Sequence, residues 1–290
     1  MQKRNVLDSP RLLELKKKKK QVFIRKIVIF GVLFVLLLVS LVFISRINRL
    51  NFYDINVSGN KIIDTTTVQK VVEEKLSGKY IWLFPKTNIF LYPKTGLKEE
   101  LANAFKRFKS IEISSQNVNT LHIEVAERSP EYLWCGNTLP AIDERRTCYF
   151  LDTEGYIFDE APYFSGEVYF KFYGETELSK DGGNPSGSHI APQNFSNLIS
   201  FKNTLAEIGL KPATLYIGND DNLKMGLSRA RTTGAAAEIL FKKDSDLQKI
   251  SENLKAALNA EPLQSKFKNE YSSLEYIDLR FGNKVYYKFR

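Results

Sequence analysis

Histidine, cysteine, tryptophan and methionine each occur only twice in 290 residues, and the first two scarcities remove whole classes of chemistry. His122 and His189 are the entire supply of imidazole, and neither has an HxxxH or CxxC companion, so no metal site is expected. The chain also lacks GxSxG, a phosphate-binding P-loop and HExxH. His122 falls in a strand-like alternation and reads as a sheet residue, while His189 borders a glycine-rich loop. Asp152 and Glu154, in LDTEG, are two carboxylates in a strand–turn–strand pattern, which turn chemistry explains without catalysis. Glu127 and Arg128, just before Pro130, read as an ion-pairing position at a domain junction. The residues therefore point to a protein that is not an enzyme and uses neither cofactor nor small-molecule substrate.

Basic charge is also missing where it first seems to be. The net charge is +9, but residues 1–26 carry ten basic and two acidic residues, and the other 264 carry 32 basic against 31 acidic. Nucleic-acid binding is excluded as a property of the main body, because the excess is confined to a tail with no aromatic reader beside it. That tail precedes the one long apolar run, residues 27–44, IVIFGVLFVLLLVSLVFI. Eighteen residues of helix reach about 27 Å, close to the hydrocarbon thickness of a bilayer. The expected organisation is a basic cytoplasmic tail at 1–26 and a transmembrane helix at 27–45, oriented by the positive-inside bias with everything later outside. The sequence after Ile44, SRINRLNFYD, offers no small-x-small cleavage site, which argues against a cleaved signal peptide. Outside the cytoplasm Cys135 and Cys148 can form a disulfide; the alternative is two unrelated buried thiols.

Beyond the apolar run, strand-type residues at 52–57 lead to a turn at Gly59-Asn60. Asp64 is placed to cap a helix whose Val68, Val71, Val72 and Leu76 share one face, with Gly78 at its end. Thr95 is placed to cap a second, with Leu97, Leu101, Ala104, Phe105 and Phe108 on one face. Ile111 and Ile113, then Leu121, Ile123 and Val125, alternate as two strands around a turn at 117–119. The pattern is β-α-α-β-β. After Pro130, β-like runs dominate at 149–151, 156–158, 168–172, 215–217, 237–241, 276–281 and 285–289. Two helices interrupt them. One spans 192–208, and the other opens on Ser245 and Gln248 at capping-box spacing. Residues 181–188, DGGNPSGS, read as a mobile surface loop. The fold class is α+β, and the second domain is expected to be a largely antiparallel β domain with two helices.

Several local patterns, in this order, resemble the bacterial cell-division family FtsQ/DivIB. They are VSGN at 57–60, NIF at 88–90, VAERSP at 125–130, Trp134 followed by YFLDTEGYIF at 149–158, and YIDLRF at 276–281 followed by KVYY at 284–287. The resemblance implies a single-pass protein of the bacterial cytoplasmic membrane, found at the division septum. It implies a POTRA (polypeptide-transport-associated) domain at 50–128 and a β domain at 129–290. It also implies a divisome scaffold linking early and late division proteins, helping to control septal peptidoglycan synthesis. The implied partners are small bitopic coiled-coil proteins of the FtsB/DivIC and FtsL type. The segment from Cys135 to Cys148 departs from the family pattern as an insertion.

The chain ends YIDLRFGNKVYYKFR, a strand-turn-strand whose last strand can offer an open edge to an extended partner segment. Arg280, Phe281, Val285, Tyr286, Tyr287 and Phe289 are the candidate contact residues. Arg280 is available to an acidic partner residue or to an internal salt bridge, and the tyrosines are available to a partner or to the sheet. Two other classes fit the same organisation: a POTRA-bearing scaffold for export or envelope assembly, and a membrane-anchored cell-wall enzyme.

Overall fold

The apolar run folds within a single 36-residue helix, α1 (Pro10–Ser45), in the computed structural model, which describes residues 10–290 apart from 118, 141–145, 177, 180–182, 191–194, 219 and 229–235. This helix is long and apolar enough to cross a membrane, and none of its apolar window is buried by protein. Helix extends upstream of the apolar run through Lys16–Lys20, whose side chains are exposed, while residues 1–9 of the tail lie outside the described residues. By contact the chain divides into two units, residues 1–104 with 110–126, and residues 105–109 with 127–290.

In the first unit, β1 (Asp54–Ser58) leads through Gly59 to α2 (Thr65–Leu76). Gly59 has φ +85°, and a Cβ there would run into the carbonyl oxygen of Val125. Glycine is thus required both by conformation and by the close approach. Asp64 caps α2, accepting the Thr66 N–H at 3.1 Å, a contact that typically contributes about 1 kcal/mol. A two-stranded hairpin follows, β2 (Lys79–Tyr80) and β3 (Phe84–Pro85). Next come α3 (Lys94–Ala104), β4 (Phe108–Asn117) and β5 (Thr120–Glu127). The sheet order is β1-β5-β4, with β1 and β5 parallel. Val68, Val72 and Leu76 of α2 and Leu97 and Leu101 of α3 are buried, as are Ile111, Ile113, Leu121, Ile123 and Val125 of the sheet.

Two expectations here are corrected. Thr95 does not cap α3; the helix has begun at Lys94, and the Pro93 carbonyl accepts the Leu97 N–H at 2.8 Å. Nor does the α3 face continue to Phe108. The helix stops at Ala104, a turn closes with the Phe108 N–H on Phe105 C=O at 3.1 Å, and Phe108 opens β4 with its side chain buried. Of the expected turn at 117–119, residue 118 lies outside the described residues.

The second unit is built on a nine-stranded mixed sheet. Its strands are β6 (Tyr132–Trp134), β7 (Cys148–Leu151), β8 (Ile157–Ala161), β9 (Lys171–Gly174), β10 (Pro212–Ile217), β11 (Asn222–Leu227), β12 (Glu238–Lys242), β13 (Leu274–Phe281) and β14 (Lys284–Phe289). The order is β14-β13-β12-β11-β10-β9-β6-β7-β8. The expectation of a largely antiparallel sheet needs correction: five of the neighbouring pairs are antiparallel, but β6–β9, β9–β10 and β12–β13 are parallel. Parallel neighbours require a crossover. Helix α4 (Phe195–Glu207) lies between β9 and β10, and α5 (Leu247–Leu258) with α6 (Leu263–Glu270) lies between β12 and β13.

These helices cover one face. Phe195, Leu198, Phe201 and Leu205 of α4 and Ile250, Leu254 and Leu258 of α5 join Phe172, Leu215, Met225, Ile239, Phe241 and Ile277 in one core. On the opposite face a smaller cluster of Leu133, Cys135, Ala161 and Tyr173 is covered by Phe164 and Tyr169. The α5 cap is Asp246, which accepts the Lys249 N–H at 3.1 Å, one residue beyond the expected Ser245; Gln248 instead bonds Glu252. The expected helix start at 192 lies outside the described residues. Residues 187 and 188 form hydrogen bonds to β8, with Ser188 buried, so this end of the glycine-rich loop is tied to the sheet.

Asp152 organises the β7–β8 turn. Its Oδ1 accepts the Glu154 N–H at 2.8 Å and the Tyr156 N–H at 3.0 Å, and its Oδ2 pairs with Arg128. The Arg128 guanidinium lies 3.8 Å from the centre of the Tyr156 ring. Replacing Asp152 with Ala leaves the half-buried Arg128 without its counter-ion, and the expected loss is about 3 kcal/mol in denaturant unfolding of the second unit. Asp152→Ala combined with Arg128→Met should recover part of it. A loss below about 1 kcal/mol for Asp152→Ala would show that the pair does not hold the turn.

Candidate functional site

The two ends of the nine-stranded sheet differ. At β8, Ile157 exchanges hydrogen bonds with the 187–188 stretch, the Ile157 N–H donating to Ser188 C=O at 2.9 Å and the Gly187 N–H to Ile157 C=O at 2.8 Å. At β14, the last strand of the sheet order, no further strand pairs on the outer side among the described residues.

Strand β14 alternates strictly. Val285, Tyr287 and Phe289 are half-buried against the main core, and Lys284, Tyr286 and Lys288 are exposed. The register places Tyr287 opposite Ile277 and Tyr286 opposite Asp278, with irregularities at Leu274–Tyr276 and at Asp278–Phe281. Just before the final turn Phe281 is 56% exposed, and its ring packs edge-on to that of Tyr286, itself 47% exposed, with centroids 5.3 Å apart. Lys288 pairs with Glu275 at 2.9 Å. The candidate residues therefore separate by role. Val285, Tyr287 and Phe289 seat the strand, while Phe281 and Tyr286 form an exposed aromatic pair next to unpaired backbone.

Arg280 makes the internal bridge. Its Nε and Nη2 donate to the two oxygens of Asp278 at 2.8 and 2.6 Å, and Nη1 reaches Asn222 at 3.5 Å. Burial pushes the Asp278 carboxyl up, but hydrogen bonds from the Arg280 side chain and backbone N–H outweigh it, leaving the pKa below the ordinary aspartate value. The same pair raises Arg280 further. Asp278 is not among the residues the sequence marks as candidates; the signal available is Asp-x-Arg, which on a strand puts both side chains on one face.

The other candidates lie elsewhere. Cys135 and Cys148 are joined as a disulfide, Cα atoms 4.2 Å apart, beside the smaller core. His122 is on β5, its Nε2 3.4 Å from Ser58 Oγ and its Nδ1 buried without a hydrogen bond. His189 forms an isolated bridge to Tyr156 and stacks edge-on against its ring. A cleft of about 1150 Å³ lies between α4 and α5, lined by Ser200, Thr204, Asp244, Asp246, Glu252 and Lys255 among others. Asp246 there is engaged in capping α5. No group of three or more metal-ligating side chains occurs among the described residues. Compared with known proteins, the chain matches no family model and no curated protein.

Because the folded Asp278 pKa is depressed, its contribution to stability is complete above the ordinary aspartate pKa and is lost as pH falls through the lower folded value. Asp278→Asn should therefore lower stability near neutral pH and flatten the loss on acidification below about pH 4. Thermal melts across that range test it; an acid limb unchanged by the substitution would count against the pair.

Proposed function

We propose that this chain is a non-catalytic scaffold of the bacterial division machinery, of the FtsQ/DivIB type, held in the cytoplasmic membrane by α1 with both folded units outside. The proposal reads the β1-α2-α3-β4-β5 unit, with β5 central, as a POTRA domain and the nine-stranded unit as the β domain. The observation that carries it is the open edge of β14 beside the exposed Phe281–Tyr286 pair.

An extended segment of a small bitopic partner would add a strand to β14. Backbone hydrogen bonds would supply affinity, and the aromatic pair would select side chains on alternate positions. Edge strands left open in this way invite indiscriminate pairing. Lys284, Lys288 and the two irregularities of the β13–β14 register discourage it without closing the edge. With Arg280 engaged by Asp278, recognition rests on backbone and aromatics rather than on that charge.

Three experiments test the reading. A fluorescent protein fused to the N-terminus should mark a midcell band in constricting cells; uniform envelope signal from a functional fusion would favour an export or envelope-assembly scaffold instead. Phe281→Ala with Tyr286→Ala, which removes exposed rings and leaves the core side of β14 intact, should weaken partner binding by about thirtyfold, the scale of a 2 kcal/mol hot spot. Deleting residues 285–290 should abolish pull-down while the first unit stays folded, and retained binding would place the interface elsewhere.

A further inference from the structure

We propose that the tip of the β2–β3 hairpin, Ile81 and Trp82, is a membrane-interface anchor seated in the lipid headgroup layer next to the outer end of α1. The inference is independent of the division reading and rests on α1 being a membrane span.

Folding alone does not explain this tip. The Leu83 N–H closes the turn onto Tyr80 C=O at 2.9 Å, and its two central residues have positive φ, 47° at Ile81 and 64° at Trp82. Such positions favour Gly, Asn or Asp, and a β-branched residue followed by an indole is a poor choice for them. Trp82 is 90% exposed and Ile81 81% exposed, the highest values among the large apolar residues described, and Phe90 is 78% exposed. An apolar tip that buries little of its own surface and strains the backbone indicates a surface outside the protein.

The contacts with α1 identify that surface. Asn88 Nδ2 donates to the Ser45 carbonyl at 3.0 Å, and the Ile89 N–H donates to Leu50 C=O at 3.0 Å. Arg46 Nη2 reaches the Leu83 carbonyl at 3.4 Å, and β3 runs against α1. Ile81 lies two residues before Leu83, so the tip stays within about 7 Å of a carbonyl held by the first residue after the helix. The polar layer of each leaflet is about 6 Å thick, and a tip tethered beside the outer end of α1 is within reach of it if α1 spans. Tryptophan concentrates at that depth, with its ring body in apolar surroundings and its N–H in the wet layer. The local charge agrees. Residues 77–98 contain no carboxylate, Lys79 and Lys86 bracket the hairpin in sequence, and Arg46 reaches the Leu83 carbonyl, cations suited to lipid phosphates.

The chain contains only Trp82 and Trp134, and Trp134 is buried in the second unit, 5% exposed. Tryptophan emission from the full-length chain in phosphatidylcholine vesicles can therefore be compared between lipids with and without brominated acyl chains. Wild type should lose the Trp82 share of its emission in brominated lipid, whereas Trp82→Phe should lose almost none. Equal fractional quenching in both, with the chain co-floating at alkaline pH, would overturn the anchor and leave the span standing. Failure to co-float would overturn the span and the anchor with it. Ile81→Asn with Trp82→Gly, which suits the turn, should keep the thermal midpoint at or above wild type. A lower midpoint would show that the tip serves folding, and would overturn the proposal.

Discussion

Each strand of the nine-stranded sheet leaves a row of N–H and C=O groups that cannot be buried unpaired, and the second unit is arranged around meeting that demand. Where hairpins suffice, neighbours are antiparallel; where α4 or the α5–α6 pair intervenes, the chain returns parallel to the strand it left. Strand β9 is held on both sides by parallel partners, β6 and β10, in the middle of the sheet. The β8 end is partly closed by residues 187–188. At β14 no outer strand pairs among the described residues, and its position at the end of the sheet follows from the order in which the other rows are paired.

Two carboxylate–arginine pairs stabilise opposite ends of this sheet. Arg128–Asp152 holds the β7–β8 turn, and Asp278–Arg280 sits on β13 beside the edge strand. In each, the carboxylate also accepts backbone N–H groups, so one side chain meets both the arginine charge and the local backbone donors. Gly155 completes the first arrangement: its φ is +77°, and a Cβ would press on the Phe195 ring at 2.7 Å, tying the turn to the first residue of α4.

Features carried by local pattern were legible in the sequence, and those decided by distant partners were not. The α2 face, the Asp64 cap, the alternation of β5 and that of β14 follow from short-range periodicity, and the structure has them. Strand β11, NLKMGL, carries a weak strand signal, because Gly226 and two polar residues dilute it; it exists because β10 and β12 pair with it on both sides. Helix α6, LQSKFKNE, buries only Leu263 and so shows no apolar stripe. The parallel pairings depend on where the crossover helices return the chain, which no local window contains. At the candidate edge, the aromatic residues were legible by position and type. The internal engagement of Arg280 was open, since Asp278 competes with any outside carboxylate only once the strand is formed.

The junction after α1 has a mechanical consequence. The Ser45 carbonyl accepts hydrogen bonds from the side chains of both Asn51 and Asn88, at 2.9 and 3.0 Å, and Asn51 also reaches Ile47 C=O. A helix end clamped in this way has no swivel. If α1 spans a bilayer, rotation about its axis, or a change in its tilt as the bilayer thickens or thins, would be delivered to the rest of the first unit as torque rather than absorbed in a linker. The orientation of that unit would then be geared to its helix.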